Sequence, residues 1–103
     1  MKRIKLDAEY EYYALWDLEE AEYLEGSDLP LTQSLVDRLS KWQADYDATL
    51  DLEEPYNTGF KTIEARKVFE QEGLEIAEQI QLELGDGYEI YYRNERVKIG
   101  MKV

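Results

Sequence analysis

The sequence predicts an α+β fold from three observations. Apolar residues near the N-terminus alternate with a period of two, two central segments carry apolar residues at helical spacing, and the tail alternates again. The resulting order is β-α-α-β-β. A three-stranded antiparallel sheet with two helices packed on one face would bury every apolar stripe. With 103 residues, 44% of them apolar, the chain is expected to form a single domain over 1–103 with a modest core.

The first strand is read from Ile4, Leu6, Ala8, Tyr10, Tyr12, Ala14 and Trp16 on one face, against Arg3, Lys5, Asp7, Glu9 and Glu11 on the other. That pattern is one long, half-buried strand. Tyr13 and Leu15 break its polar face, so its end is expected to be covered on both sides. Residues 17–30 read as an acidic loop, closed by Gly26-Ser27-Asp28-Leu29-Pro30.

Thr32 is the expected N-cap of a helix over about 32–48, with Leu35, Leu39, Trp42 and Tyr46 as its apolar stripe. Residues 51–60 form a loop punctuated by Pro55, Asn57 and Gly59. Thr62 then caps a second helix, whose stripe is Ala65, Phe69, Gly73, Ile76, Ile80 and Leu84. Gly85 stands where a C-terminal glycine ends a helix, and Asp86-Gly87 continues the turn. Glycine inside a helix costs ~1 kcal/mol. Close approach of a bulky neighbour, with Trp42 as the candidate, would account for Gly73. In the tail, Tyr88, Ile90 and Tyr92 alternate with Glu89 and Arg93. Val97, Ile99, Met101 and Val103 alternate with Arg96, Lys98, Gly100 and Lys102, and Asn94-Glu95 lies between at hairpin distance.

Charge is the strongest functional signal. Between Leu6 and Asp37 the chain carries ten carboxylates and no basic residue, within a net charge of -12. Such a field attracts positively charged partners and speeds association. Asp7, Glu9 and Glu11 have a second reading, as partners of Arg96, Lys98 and Lys102 across neighbouring first and last strands. The acidic balance argues against nucleic acid as a direct ligand, since phosphate binding needs Lys and Arg.

Catalytic chemistry finds little support. The chain has neither cysteine nor histidine, which removes disulfides, thiol nucleophiles, the commonest general base and the commonest metal ligand. Ser27, Ser34 and Ser40 have no histidine partner, and the adjacent helical residues Ser40 and Lys41 do not face each other. With 24 acids, close carboxylate pairs are inevitable and do not point to a glycosidase. Asp45 and Asp47 begin like a calcium loop, but Thr49 and Leu50 stand where Asp or Asn and then Gly are needed. No phosphate-cradling glycine motif occurs. The expectation is a protein with no enzymatic activity, catalytic residues, metal or cofactor. No run approaches the ~20 apolar residues of a membrane span. The start, Met-Lys-Arg-Ile-Lys-Leu-Asp, lacks an apolar signal region, so a cytoplasmic protein without membrane association is expected.

Protein binding remains. Tyr23 sits in the acidic loop, and Tyr56 and Phe60 sit in the second loop near Glu53-Glu54. Aromatics among acids resemble interface anchors ringed by charge, the alternative being that they cap the edges of the core. Tyr10, Tyr12, Trp42 and Tyr46 lie on periodic stripes and read as core. The expected partner-binding set is Asp17, Glu19, Glu20, Glu22, Tyr23, Glu25, Asp28, Glu53, Glu54 and Tyr56.

The stretch from Leu15 to Tyr92 resembles a family of small acidic bacterial proteins without an assigned enzymatic activity. The resemblance rests on Leu15-Trp16, on Leu31 followed by Leu35, Leu39 and Trp42, and on Tyr46-Asp47-Ala48-Thr49-Leu50. It continues through Glu54-Pro55, Gly59-Phe60, Phe69, Glu72-Gly73, Ala77 and Glu83-Leu84-Gly85 before Tyr88. Ala14 stands where that family often has a proline before the Leu-Trp pair, and the longer N-terminal strand is a further departure. Proteins of this type resemble immunity proteins of toxin–immunity systems, which bind a cognate toxin domain, often a basic nuclease, and block it. The resemblance implies such a binding role and carries over no functional residues. Two other readings stay open: a nucleic-acid mimic that occupies a basic groove on another protein, and a homodimerising domain whose charge maintains solubility.

Overall fold

The N-terminal alternation belongs to two strands, not one. In the computed structural model, which describes residues 2–10, 13–54 and 58–98, β1 (Lys2–Leu6) ends and the chain turns back. β2 (Leu15–Asp17) then runs antiparallel beside β1, with Leu6 opposite Leu15 and Ile4 opposite Asp17. The burial phase changes across this turn. Even-numbered Ile4 and Leu6 are buried in β1, odd-numbered Leu15 and Asp17 in β2. Tyr13 and Leu15, which broke the polar face in sequence, mark the place where the phase slips.

The acidic stretch expected to be a loop contains a further strand. β3 (Glu22–Leu24) pairs antiparallel with β2 after a turn in which Ala21 adopts φ +54°. A 3₁₀ turn over Gly26–Asp28 leads to α1 (Gln33–Asp47) and then α2 (Ile63–Leu84). A second 3₁₀ turn over Gly85–Gly87 is followed by β4 (Tyr88–Tyr92) and β5 (Glu95–Arg96), joined by a hairpin in which Arg93 adopts φ +60°.

The strand order is β3-β2-β1-β4-β5, and β1 pairs with β4 in parallel. This corrects the expected three-stranded antiparallel sheet. The sheet has five strands and is mixed, because the two helices carry the chain back to the free edge of β1 in the same direction as β1 itself. The neighbours of β1 are therefore β2 and β4, and β5 lies at the far edge, so the first and last strands do not pair. Arg96 reaches Glu89 instead (3.6 Å), and Arg3 holds Glu19 at 2.6 Å. The tail strand expected over 97–103 falls largely outside the described residues, as do Glu11 and Lys102.

Both helices lie close to the expected limits, and both caps form. The Thr32 hydroxyl accepts from the Leu35 N–H, and Thr62 from the Ala65 N–H. Gly85 caps α2 at φ +78°, a left-handed conformation that favours glycine. Gln81 then ties helix to strand. Its amide donates to the Gly85 and Tyr88 carbonyls and accepts from the Ile90 N–H.

Ile4, Leu6, Leu15 and Ile90 form the sheet side of the core, and Leu35, Leu39, Trp42, Ile76, Ala77 and Ile80 cover it from the helices. Gly73 is where it is because α1 and β4 crowd it. A Cβ there would lie 2.5 Å from Trp42 Cζ2 and 2.6 Å from Tyr92 Oη. Trp42 Nε1–H donates to the Phe69 carbonyl (2.9 Å), so the indole is satisfied within the core. Tyr92 Oη donates to the Glu70 carbonyl, and burial pushes this phenol up to about 12. At the solvent side of the helix pair, Arg38 bridges Glu72 and Glu75. With both helices on one face, no helix among the described residues covers the other face of the sheet.

Candidate functional site

The uncovered face carries an in-register row across all five strands. Tyr23, Trp16, Lys5, Tyr91 and Arg96 are successive partners in the ladder. Period-two alternation sends their side chains away from the buried Ile4, Leu6, Leu15 and Ile90. Trp16 and Tyr23 meet edge to face, with centroids 4.7 Å apart, and Tyr23 Oη donates to Glu9 Oε2 (2.9 Å). Lys5, Glu9, Trp16 and Tyr23 share the wall of a depression of about 320 Å³. Beside this row, Arg3 binds Glu19, while Glu89 accepts from Tyr91 Oη (3.2 Å) and pairs with Arg96.

The acids of the expected site divide by position. Asp17 is fully buried, and its Oδ1 accepts the Glu19 and Glu20 N–H groups at 2.9 and 3.1 Å. Its Oδ2 faces the Lys2 ammonium, 3.0 Å away, which supplies its countercharge. Burial alone would push this carboxyl up. The Glu20 N–H, Lys2 and the Glu19 N–H outweigh it and hold Asp17 below the usual carboxylate range. Asp17 is therefore a scaffold that shapes the β2–β3 turn. Glu19 is spoken for by Arg3, whose hydrogen bond and charge lower its pKa.

Glu20 and Glu22 stand exposed on that turn and at the start of β3. Glu25 and Asp28 are exposed at the following 3₁₀ turn, where the Glu25 N–H donates to Asp28 Oδ2 (2.8 Å) and the Tyr13 hydroxyl hydrogen-bonds the Glu25 side chain. Glu20, Glu22, Tyr23, Glu25 and Asp28 are thus gathered along one arm of the molecule, the β2–β3 hairpin and its exit. Glu53 and Glu54 are not part of it. They sit on the α1–α2 connection, where both N–H groups donate to Asp51 Oδ1. Tyr56 lies outside the described residues.

Trp16 was missed. Assigned to the core face of one long strand, it changes face once the phase slip at Tyr13–Leu15 is read as a turn. Tyr91 and Lys5 were missed as members of one row because cross-strand register is a non-local property. Among the described residues, no group of carboxylates is arranged to hold a metal ion, and no helix is long and apolar enough to cross a membrane.

A family model described as Serratia CdiI immunity protein-like matches residues 2–95. A comparison with curated proteins gives no match.

Proposed function

The chain belongs to the Serratia CdiI immunity protein-like family, and from that premise we propose that it neutralises a cognate toxin by binding it through the β2–β3 arm. Family membership over residues 2–95 is the observation that carries the role. The arm is favoured as the contact surface because it joins an aromatic pair, Trp16 and Tyr23, to four exposed acids, Glu20, Glu22, Glu25 and Asp28. Aromatic side chains at the centre of a polar rim are the residue types that dominate binding energy. Binding asks for no chemistry from this chain.

The partner surface that fits the arm is basic. A toxin that is a nuclease would have one, since any enzyme that holds nucleic acid must offer Lys and Arg to phosphates. The acids would steer such a domain to the arm, and the aromatics would retain it.

These two contributions separate in kinetics. Rim charges act mainly on the association rate, and salt screens them over ~8–10 Å at physiological strength. Glu20→Gln together with Glu22→Gln is expected to slow association several-fold at low salt and to leave dissociation nearly unchanged. Tyr23→Ala is expected to speed dissociation about tenfold or more, because a packed anchor acts through exclusion of water. Binding kinetics against the cognate toxin domain at two salt concentrations reads both. Wild-type association by the double Gln variant at low salt would remove the arm from the interface.

A further inference from the structure

Around the N-terminus of α2 and the β4–β5 hairpin the charge ratio of the chain is inverted. A central depression of about 520 Å³ is walled by aromatic rings, including Tyr10, Tyr46, Phe60 and Phe69. It shares Glu70, Tyr92 and Arg93 with a second depression of about 800 Å³ along the hairpin. On its other side it shares Gly59, Phe60 and Lys61 with a third, of about 490 Å³, which reaches Leu52. The three adjoin along these shared walls. The central and hairpin parts are lined by Lys61, Arg66, Lys67, Arg93, Arg96 and Lys98, half of the chain's 12 basic residues. Among the described residues, only Asp7, Glu70 and Glu95 oppose them there. The third depression adds Asp51 and Glu53 and no further base, so the basic excess belongs to the central and hairpin parts, which have two bases for every described acid where the whole chain has two acids for every base.

The groove is also apolar where an apolar surface is costly. Leu52 is 76% exposed and Ile63 70%, and they flank the aromatic walls. Glu70 is held by both Arg66 and Arg93 (3.3 Å each), which fixes the two guanidiniums at the mouth. Lys61, Lys67 and Lys98 make no ion pair among the described residues.

We propose that this groove binds an acidic peptide segment of a partner protein, laid along it in extended form with one aromatic side chain in the central depression. Charge complementarity selects the acidic partner. The extent of the basic surface across two adjoining depressions selects a chain over a small molecule, which would fill only one. The state of the rings selects a peptide over single-stranded nucleic acid. Bases bind by lying flat on free aromatic faces. Here Tyr10 is stacked on Tyr46 (4.3 Å, 15°), Tyr46 on Phe69 (5.5 Å, 25°) and Phe69 on Trp42 (4.5 Å, 7°), so Tyr46 and Phe69 are engaged by two rings each and Tyr10 by one. An inserted side chain would meet ring edges instead, a favoured aromatic geometry. This surface is separate from the β2–β3 arm and does not depend on its role.

The test is calorimetric titration of the full chain with four probes: a short Glu/Asp-rich peptide with one central Phe, the same peptide with Ser in that place, a Lys-rich peptide with the Phe, and oligothymidylate. The acidic Phe peptide is expected to bind, to weaken as salt is raised, and to lose about tenfold in affinity on Phe→Ser. Lys61→Glu with Lys98→Glu is expected to abolish its binding without changing thermal melting, since both side chains are exposed and unpaired. Four results would each overturn the proposal: no binding of the acidic Phe peptide, equal affinity for the Ser peptide, unchanged affinity in the Lys→Glu variant, or oligothymidylate binding as tightly as the peptide.

Discussion

Asp17 holds the turn that displays the exposed acids of the arm. Its carboxylate, itself closed to water, takes two backbone N–H groups and faces the part-exposed Lys2 ammonium. Replacing it with Ala strands those donors and is expected to cost about 1–3 kcal/mol, the desolvation penalty of unsatisfied buried groups. Asp17→Asn keeps an oxygen for the two N–H groups but loses the charge and sets an NH2 donor against the Lys2 ammonium, which is part-exposed and can turn to water, so its loss should be smaller than that of Ala. The pH dependence follows from the sign of the shift. The folded-state pKa is depressed, so the contribution is complete above the unfolded value of ~3.9 and is lost as pH falls through the lower folded value. Urea denaturation of the Asn variant should show a flatter acid limb than wild type. Gly73 makes a steric claim of the same kind. Gly73→Ala would gain helix propensity, but its Cβ would overlap Trp42 and Tyr92, and overpacking of about 1–3 kcal/mol is expected to win. Thermal melting should fall; a rise would show that the indole can yield.

At the level of elements, β1 is the keystone, with β2 on one side and β4 on the other. Ile4→Ala, at a site with no exposure in the middle of the sheet, is expected to cost about 2–5 kcal/mol. Val97→Ala, just past the edge strand β5, should cost less, because its surroundings can collapse more freely. Equal losses in urea titrations would mean that the hairpin, not β1, organises the sheet. The elements also differ in how far the sequence announces them. α1 and α2 are legible because period, threonine caps and the terminal Gly85 are all local signals. β2 and β3 are three residues each with one acid apiece; the alternation runs β2 into the first strand and leaves β3 in a loop, and only pairing separates the one and defines the other. The parallel match of β1 with β4 joins segments that lie more than eighty residues apart and has no local signature.

Across the whole molecule the charges are unevenly spread. Glu20, Glu22, Glu25 and Asp28 stand exposed along the β2–β3 arm, other exposed acids are spread over the helices and connections, and half the bases line the depressions around the α2 N-terminus and the β4–β5 hairpin. The acidic run was plain in sequence, and so was the lack of histidine and cysteine. Which acids are available to a partner was not. Burial removes Asp17, Arg3 occupies Glu19, and the chain path puts Glu53 and Glu54 elsewhere. Nor could Trp16 join Tyr23 until the turn after Leu6 was known. The most direct test of the central claim is growth of cells that co-express this chain with its cognate toxin domain. The wild-type chain should restore growth and form an equimolar complex. Trp16→Ala with Tyr23→Ala should fail to do either while melting as a folded protein. Full rescue by that double variant, or a toxin domain that stays active beside excess wild-type chain, would contradict the account.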